Sequence, residues 1–319
     1  MKNIKLHLKL INILADGFFH SNEQLGNITG MSYVAIYKHI QIIREWGLNI
    51  FTLYDKGYYL PYPIQLLNKQ LILSYTPLRQ VNVLSIVDST NQYLLEHINE
   101  LQSGDACVAE YQSAGRGRYG RQWISPFGVN LYLSMYWYLK QGCSATIGLS
   151  LVIGIVIAEV LKKLGVHDIR VKWPNDIYLY NKKLAGILIE LISNTGNGTQ
   201  LIIGIGINIL MRRSHTELID QDWINLEEVG INIDRNQLTV ELLSVLQYEI
   251  SQFEKNGLTD FIPRWFRLDN YLNRPVKLII GDQEILGINI GINLQGALLL
   301  EQNGIKRIYF GGEISLRGL

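Results

Sequence analysis

The chain has 319 residues, 48% of them hydrophobic and 18% charged, with a mean hydropathy of +0.09, enough for two or three well-buried domains. This composition excludes disorder, collagen and coiled coil; 29 basic against 28 acidic residues give a net charge of +1, which excludes a whole-chain polycation or acidic scaffold, so any basic site is local. Two cysteines, Cys107 and Cys143, stand far apart without a metal-ligand spacing, so neither a disulfide framework nor a structural zinc site is encoded and a reducing cytoplasm is expected. The N-terminus is broken by His7, Lys9 and Asn12, a poor secretory signal. The longest apolar run, 148–158, is well short of the ~20 residues that cross a bilayer, so no membrane partner is expected.

In chain order, Leu6, Leu8, Leu10, Ile11 and Leu14 give one helix face, ended by Asp16-Gly17. Ser21 precedes Asn22-Glu23-Gln24 as a capping box, and Gly30 closes that short helix. Ser32 caps a third helix with Val34, Ile36, Ile40, Ile43 and Trp46 on its apolar face and Tyr33, Tyr37, Lys38, His39, Gln41 and Arg44 on others. Residues 48–53 and 57–60 flank a turn at Tyr54-Asp55-Lys56, a β-hairpin. Helix-turn-helix plus hairpin spells a winged helix; a three-helix protein-interaction module fits the same pattern. Residues 1–60 carry only a local charge of +2, so tight DNA binding needs a dimer. Pro61-Tyr62-Pro63 marks a linker.

A second domain mixes strands at 107–111, 131–138, 187–191 and 201–207 with helices at 91–101 and 147–164, which predicts a mixed sheet with helices on one face. From about residue 272 the chain reads as strands at 275–280, 283–290, 297–301 and 305–310, with Asn303-Gly304 as a hairpin turn, and suits a small barrel. The whole is an α+β protein, with expected domains at 1–63, 64–270 and 271–319.

The segment Gly115-Arg116-Gly117-Arg118-Tyr119-Gly120-Arg121-Gln122-Trp123 contains G-x-G-x-x-G but does not open a helix, so it is no dinucleotide fingerprint. Its glycines and guanidinium groups still suit a polyanion, a solvated basic loop being the plainer reading. Nothing in the pattern assigns Tyr119 a role. Lys172-Trp173-Pro174-Asn175-Asp176 and Lys182-Lys183 could hold a phosphate and Mg²⁺, or be solvated surface. Asp88-Ser89-Thr90-Asn91 exceeds what N-capping needs. The glycine pair in Gly204-Ile205-Gly206 allows close backbone approach. P-loop, HExxH and G-x-S-x-G motifs are missing and the six histidines are scattered, which leaves adenylate-forming chemistry as a natural candidate.

These blocks, with Lys183-Leu184-Ala185-Gly186-Ile187-Leu188 and Gly312-Glu313-Ile314-Ser315, closely resemble the biotin protein ligases, in family order and over essentially the whole chain including the N-terminal unit, as in the bifunctional ligase/repressors. The resemblance implies a winged helix-turn-helix, a catalytic domain of the biotin/lipoate ligase type and an SH3-like C-terminal barrel. It implies that biotin and MgATP give biotinyl-5′-adenylate, which a lysine of the biotin carboxyl carrier protein of acetyl-CoA carboxylase then attacks. Carried over by position, Ser89, Thr90, Asn91, Gln112, Arg116, Gly117, Arg118 and Lys183 contact biotin or its adenylate; Gly186, Leu188, Gly204 and Gly206 line the pocket; Trp223 and Arg317 reach the adenylate; Lys172 and Asp176 serve phosphate and Mg²⁺ chemistry. Arg116, Arg118, Arg121, Lys172 and Lys183 are the expected catalytic cations, and Arg118→Gly is expected to let adenylate escape. Regulation by analogy has adenylate order the loops at 112–128, 141–145, 194–199 and 211–223 and promote a homodimer. That dimer binds a palindromic operator of the biotin operon through Ser21, Ser32, Tyr33, Tyr37, Lys38 and Arg44. A lipoate or octanoate ligase, and a biotin-sensing repressor without catalysis, are the alternatives.

Overall fold

The computed structural model describes residues 2–53, 56–140, 145–195, 198–211, 219, 221–311 and 314–319. The Tyr54-Asp55 turn, Cys143 with most of the 141–145 loop, parts of 194–199 and of 211–223, and Gly312-Glu313 lie outside these residues.

The N-terminal unit starts with α1 (Lys2–Leu14), whose Leu10, Ile11 and Leu14 are buried against Leu25 and Ile36. A two-residue strand, β1 (His20–Ser21), leads into α2 (Asn22–Thr29). The capping box forms as the sequence dictates: Ser21 Oγ accepts from Gln24 N (3.1 Å) and Gln24 Oε1 accepts from Ser21 N (2.8 Å). Gly30 closes the helix in the left-handed region (φ 73°), which a Cβ would disfavour. In α3 (Tyr33–Glu45), Ser32 Oγ accepts from Ala35 N and Ile36, Ile40 and Ile43 are buried. Val34, expected on that apolar face, is 60% exposed because two residues of helix rotation carry it to the side away from Ile36, Ile40 and Ile43. β2 (Phe51–Leu53) and β3 (Gly57–Tyr59) make the hairpin, and β1 adds to β3, so the sheet runs β1-β3-β2. β1 is too short to leave a periodic signal.

The stretch after Pro63 is no free tether. Ile64 is buried and its N–H donates to Ala15 O, while Arg235 and Asn236 donate to the carbonyls of Gln65 and Leu66. Buried carbonyls need such partners. Phe127 joins the core of the N-terminal unit, stacking on Trp46 at 6.1 Å and donating its N–H to Trp46 O. Nearby, His7 is 4% exposed and stands edge-on to His39, ring centres 4.5 Å apart, and to Trp46. Burial and then the neighbouring His39 hold the His7 pKa below its ordinary 6.5.

After α4 (Lys69–Ser74) comes the seven-stranded sheet: β4 (Val81–Leu84), β5 (Ala106–Ala109), β6 (Leu131–Leu139), β7 (Ile169–Lys172), β8 (Asp176–Leu179), β9 (Lys182–Thr195) and β10 (Gly198–Ile207), in the order β4-β5-β6-β10-β9-β8-β7. Only β4 and β5 pair in parallel; the sheet is mixed, as expected. Helices cover both faces, not one. α5 (Thr90–Glu96) packs Leu94 on Cys107 and Ile202, whereas α6 (Thr146–Lys163), α7 (Arg235–Asn256) and α8 (Ile262–Leu268) share the large core with the adjacent residues Ala106, Val108, Leu201 and Ile203. Strand alternation makes two-sided cover possible. Across the base of the sheet, Arg235 pairs with Glu110 at 2.7 Å, both almost wholly buried.

The last segment folds as β11 (Pro275–Ile280), β12 (Gln283–Ile292), β13 (Leu298–Gln302), β14 (Ile305–Tyr309) and β15 (Ile314–Gly318), one antiparallel sheet in the order β14-β13-β12-β11-β15. Asn303 and Gly304 both take positive φ, the turn an Asn-Gly pair encodes. Its Val276, Leu278, Leu298 and Leu316 belong to the same core as α6, and Trp173 Nε1 donates to Gly296 O across the junction (3.0 Å).

Two outcomes follow from this packing. Arg235→Ala strands the Glu110 carboxylate and lowers the unfolding free energy by about 3–5 kcal/mol, measurable by urea denaturation. Folding excludes a proton from His7, so stability is complete above pH 6.5 and falls as the pH drops below it; the thermal midpoint declines between pH 7 and 5, with a smaller slope in His7→Leu.

Candidate active site

Adjacent strands in register stack same-face residues into rows. Gly204 lies opposite Ser134 on one side and Leu188 on the other, and Gly206 lies opposite Tyr132 and Gly186. The intervening Leu133, Ile187, Ile203 and Ile205 point into the core. The face away from α6 therefore carries the glycines and Ser134 beside Leu188 and Tyr132, and it floors a cavity of about 570 Å³. At Gly206 a Cβ would collide with the Trp123 indole, so glycine is what lets that ring lie on the sheet. Trp123 Nε1 is buried and has no hydrogen-bond partner among the described residues, a donor available to a ligand.

One end of the cavity is a hydrogen-bonded chain. Gln112 Nε2 donates to Ser125 Oγ (2.9 Å), and Gln112 Oε1 accepts from Thr90 N and Oγ1. Ser134 Oγ lies 2.7 Å from Thr90 Oγ1 and 2.5 Å from Asn91 Oδ1. Asn91 Nδ2 donates to Glu190 Oε2 (2.6 Å), which also pairs with Arg116 at 3.1 Å. Ser89 sits at the N-cap of α5 yet makes no capping bond, so the sequence's surplus of hydroxyls is real. Such a network is preorganised for a small polar head group.

The other end is cationic. Lys183 Nζ contacts Asp176 Oδ1 at 2.9 Å, and Lys172 Nζ lies 3.8 Å from Asp176 Oδ2 while donating to the Tyr178 hydroxyl (2.8 Å). Burial pushes the Tyr178 phenol well up, with Asp176 adding to it, so this hydroxyl keeps its proton. Arg118 donates to Asn175 Oδ1 (2.9 Å), and the loop around it closes through Gly117 N to Arg121 O (2.7 Å).

Ser89, Thr90, Asn91, Gln112, Arg116, Gly117, Arg118, Arg121, Lys172, Asp176, Lys183, Gly186, Leu188, Gly204 and Gly206 all line this one cavity. Trp223 and Arg317 do not. The Trp223 backbone bridges Lys183, with Lys183 N donating to Asp222 O and Ile224 N to Lys183 O, and Arg317 sits on β15, near enough for its charge to act on the Tyr178 phenol. Sequence reasoning missed Ser125, Ser134 and Glu190. Ser134 and Glu190 had a signal, since each is a lone polar residue inside an otherwise apolar strand.

On the N-terminal unit, Tyr33, Tyr37 and Lys38 are exposed together on α3. Ser21 and Ser32 use their hydroxyls as caps, and Arg44 donates to Ile50 O and Thr52 Oγ1, fastening α3 to the hairpin.

The biotin/lipoate A/B protein ligase family matches residues 83–208, and the biotin protein ligase C-terminal domain matches residues 271–317. A biotin protein ligase from Aquifex aeolicus, solved in complex with biotin and ATP, superposes with a TM-score of 0.67 at 31% identity, covering 76% of this chain and all of that one. Fold and cavity thus define the biotin protein ligase class. Within it, the bifunctional ligase/repressor BirA of Escherichia coli K12 is 60% identical over 317 residues, 99% of both chains, and that of Bacillus subtilis 28% identical over 91% of this chain and 92% of its own. The chain belongs to the family of these bifunctional BirA ligase/repressors.

Gly206→Ala should drive the Trp123 ring off the sheet. Ligand affinity at this cavity then falls by about 10-fold or more, the worth of one lost well-packed contact, while the thermal midpoint moves little; calorimetric titration with biotin and ATP checks both.

Proposed function

We propose that the protein activates biotin with ATP to biotinyl-5′-adenylate, transfers the biotinyl group to one lysine of a biotin carboxyl carrier protein, and represses the biotin operon when charged with adenylate. The observation that carries the ligase reading is the single cavity joining a neutral polar network at Ser89, Thr90 and Gln112 to the cations Arg116, Arg118, Lys172 and Lys183. The network suits the ureido head of biotin, and Leu188 with the glycine rows suits its apolar ring and chain.

In the first step a biotin carboxylate oxygen attacks the α-phosphorus of ATP and pyrophosphate departs. Negative charge gathers on the reacting phosphate and the leaving group, where Arg118 and Lys183, held by Asn175 and Asp176, meet it in fixed positions. In the second step a neutral lysine amine attacks the acyl carbon, the C–N bond forms, and AMP leaves with the C–O electron pair. Asp176 is the one carboxylate among the described lining residues, and no cluster of three metal-ligating side chains occurs among the described residues. That donor set fits Mg²⁺ held by one carboxylate together with ATP phosphates, where the ion neutralises phosphate charge.

For the regulatory half, the N-terminal helices and three-stranded sheet form a winged helix-turn-helix, with Tyr33, Tyr37 and Lys38 of α3 offered to an operator. One weakly basic unit neutralises few phosphates, so repression uses a homodimer on a palindromic site. The same reading takes residues 1–63, 64–270 and 271–319 as the DNA-binding, catalytic and SH3-like domains, and places the protein in the cytoplasm. Among the described residues no helix is long and apolar enough to cross a membrane.

Mass spectrometry of a carrier-protein domain after incubation with this protein, ATP, Mg²⁺ and biotin tests the reading, with lipoate as a parallel substrate. One biotin adduct on one lysine and none from lipoate is expected, with Lys183→Met slowing adenylate formation by about 10²–10³-fold. Biotin binding without an adduct would reduce the protein to a sensor, and a lipoyl adduct would reassign the acid.

A further inference from the structure

Tyr119 stands inside the arginine loop in the left-handed region, at φ 60° and ψ 38°, and the following Gly120 also has positive φ. A tyrosine there carries a backbone cost that glycine would not. The loop is rich in glycine, so the side chain at 119 must supply something that offsets this cost.

Three contacts show what it supplies. The phenol oxygen accepts from Arg118 Nη2, and the ring faces the same guanidinium, with Cζ 4.8 Å from its centre. The phenol oxygen also accepts from the backbone N–H of Ile314, 3.2 Å away and 195 residues on in the chain. Ile314 opens β15, and Ile314, Ser315 and Leu316 line the same cavity as Arg118. One hydroxyl thus binds a cation at the reacting end and bridges the arginine loop to the C-terminal sheet, both of which line the cavity. Asn175 grips the other side of Arg118, so the guanidinium is fixed from two directions.

We propose that Tyr119 is a positioning residue that holds Arg118 toward the reacting phosphate and latches the arginine loop to β15, so that the acyl-adenylate is retained until an acceptor lysine arrives. This rests on the ligase reading above. The left-handed backbone is the geometry that turns the phenol back over its own neighbour and toward β15 at once. A tyrosine with ordinary φ at this position would direct its ring elsewhere. Arg118 and Lys183 remain the groups that meet the phosphate; Tyr119 acts through the first of them.

The test uses the full chain and the variants Tyr119→Phe and Tyr119→Gly. Tyr119→Phe keeps the ring over Arg118 and loses both hydrogen bonds, whereas Tyr119→Gly loses everything and frees the backbone. Adenylate formed in place from biotin and MgATP is followed by mass spectrometry as it leaves the protein, and hydrogen exchange of the Ile314 amide is read on the ligand-free protein. Both variants should release adenylate about 10-fold faster than the parent, the worth of one charge-assisted hydrogen bond, with faster exchange at Ile314. The KM for ATP rises more than the KM for biotin. Tyr119→Gly should melt no lower than the parent, because glycine adopts φ 60° freely. Release at the parental rate in both variants would overturn the proposal, as would a fall in melting temperature that tracks the faster release, the mark of a merely structural residue. A parent that forms no adenylate would instead overturn the ligase reading, and the retention role with it.

Discussion

Side-chain alternation along β6, β9 and β10 is the constraint on which the rest of this molecule depends. Leu131, Leu133, Met135, Ala185, Ile187, Leu201, Ile203, Ile205 and Ile207 are buried in the core shared with α6 and α7, and Tyr132, Gly186, Leu188, Gly204 and Gly206 between them floor the cavity. A one-residue slip in register would exchange Ile203 and Ile205 for Gly204 and Gly206, emptying the core and filling the site in a single step. The burial of Leu133, Ile187, Ile203 and Ile205 at once stabilises the fold and holds the glycine rows in place. With roughly 25 cal/mol for each Å² of apolar surface removed from water, four such side chains set the register firmly.

The site inherits its rigidity from that sheet but draws its charge from loops at its edge. Lys172 and Asp176 close the β7–β8 hairpin, Lys183 is the second residue of β9, and Arg118 reaches in from a loop pinned by Asn175. Cations brought this close repel one another unless anions stand between them. Asp176 sits between Lys172 and Lys183, and Glu190 offsets Arg116. These pairs hold the cations ready without quenching them, because an incoming polyphosphate brings more charge than one carboxylate does.

What the sequence made legible follows from which interactions are local. The capping box at Ser21 and Gln24 and the Asn303-Gly304 turn are each complete within a few residues, and each forms as read. The pairs that tie the units together span the chain: Glu110 with Arg235, Trp46 with Phe127, Trp173 with Gly296. No spacing rule encodes such pairs, which is why the packing of the segment after Pro63 went unread and the helices were expected on one face. Val34 was misplaced for a related reason, since a helical stripe can be read one residue too wide when its partner is unknown. Helix α7 had a legible pattern, Leu238, Leu242, Leu246 and Ile250 behind an Asp234 cap, yet went unread. Ser134 and Glu190 are the instructive omissions. A polar residue in an apolar strand is either a defect or a site, and the cross-strand register decides between them.

The three parts of the chain also share cores in a way their separate reading hides. Phe127, at the end of the segment that carries the cavity's arginines, is buried in the N-terminal unit beside Trp46 and Ile64. Leu316, at the cavity's far wall, is buried with the central sheet. An acyl-phosphate anhydride survives only where water is kept out, and a cavity walled by the central sheet, the arginine loop and the C-terminal sheet excludes water better than one sheet with a loop over it. Phe127 also stacks on Trp46, which ends α3, and donates its N–H to Trp46 O. Packing is therefore continuous from the segment that carries the arginines, through Phe127 and Trp46, to the last turn of α3.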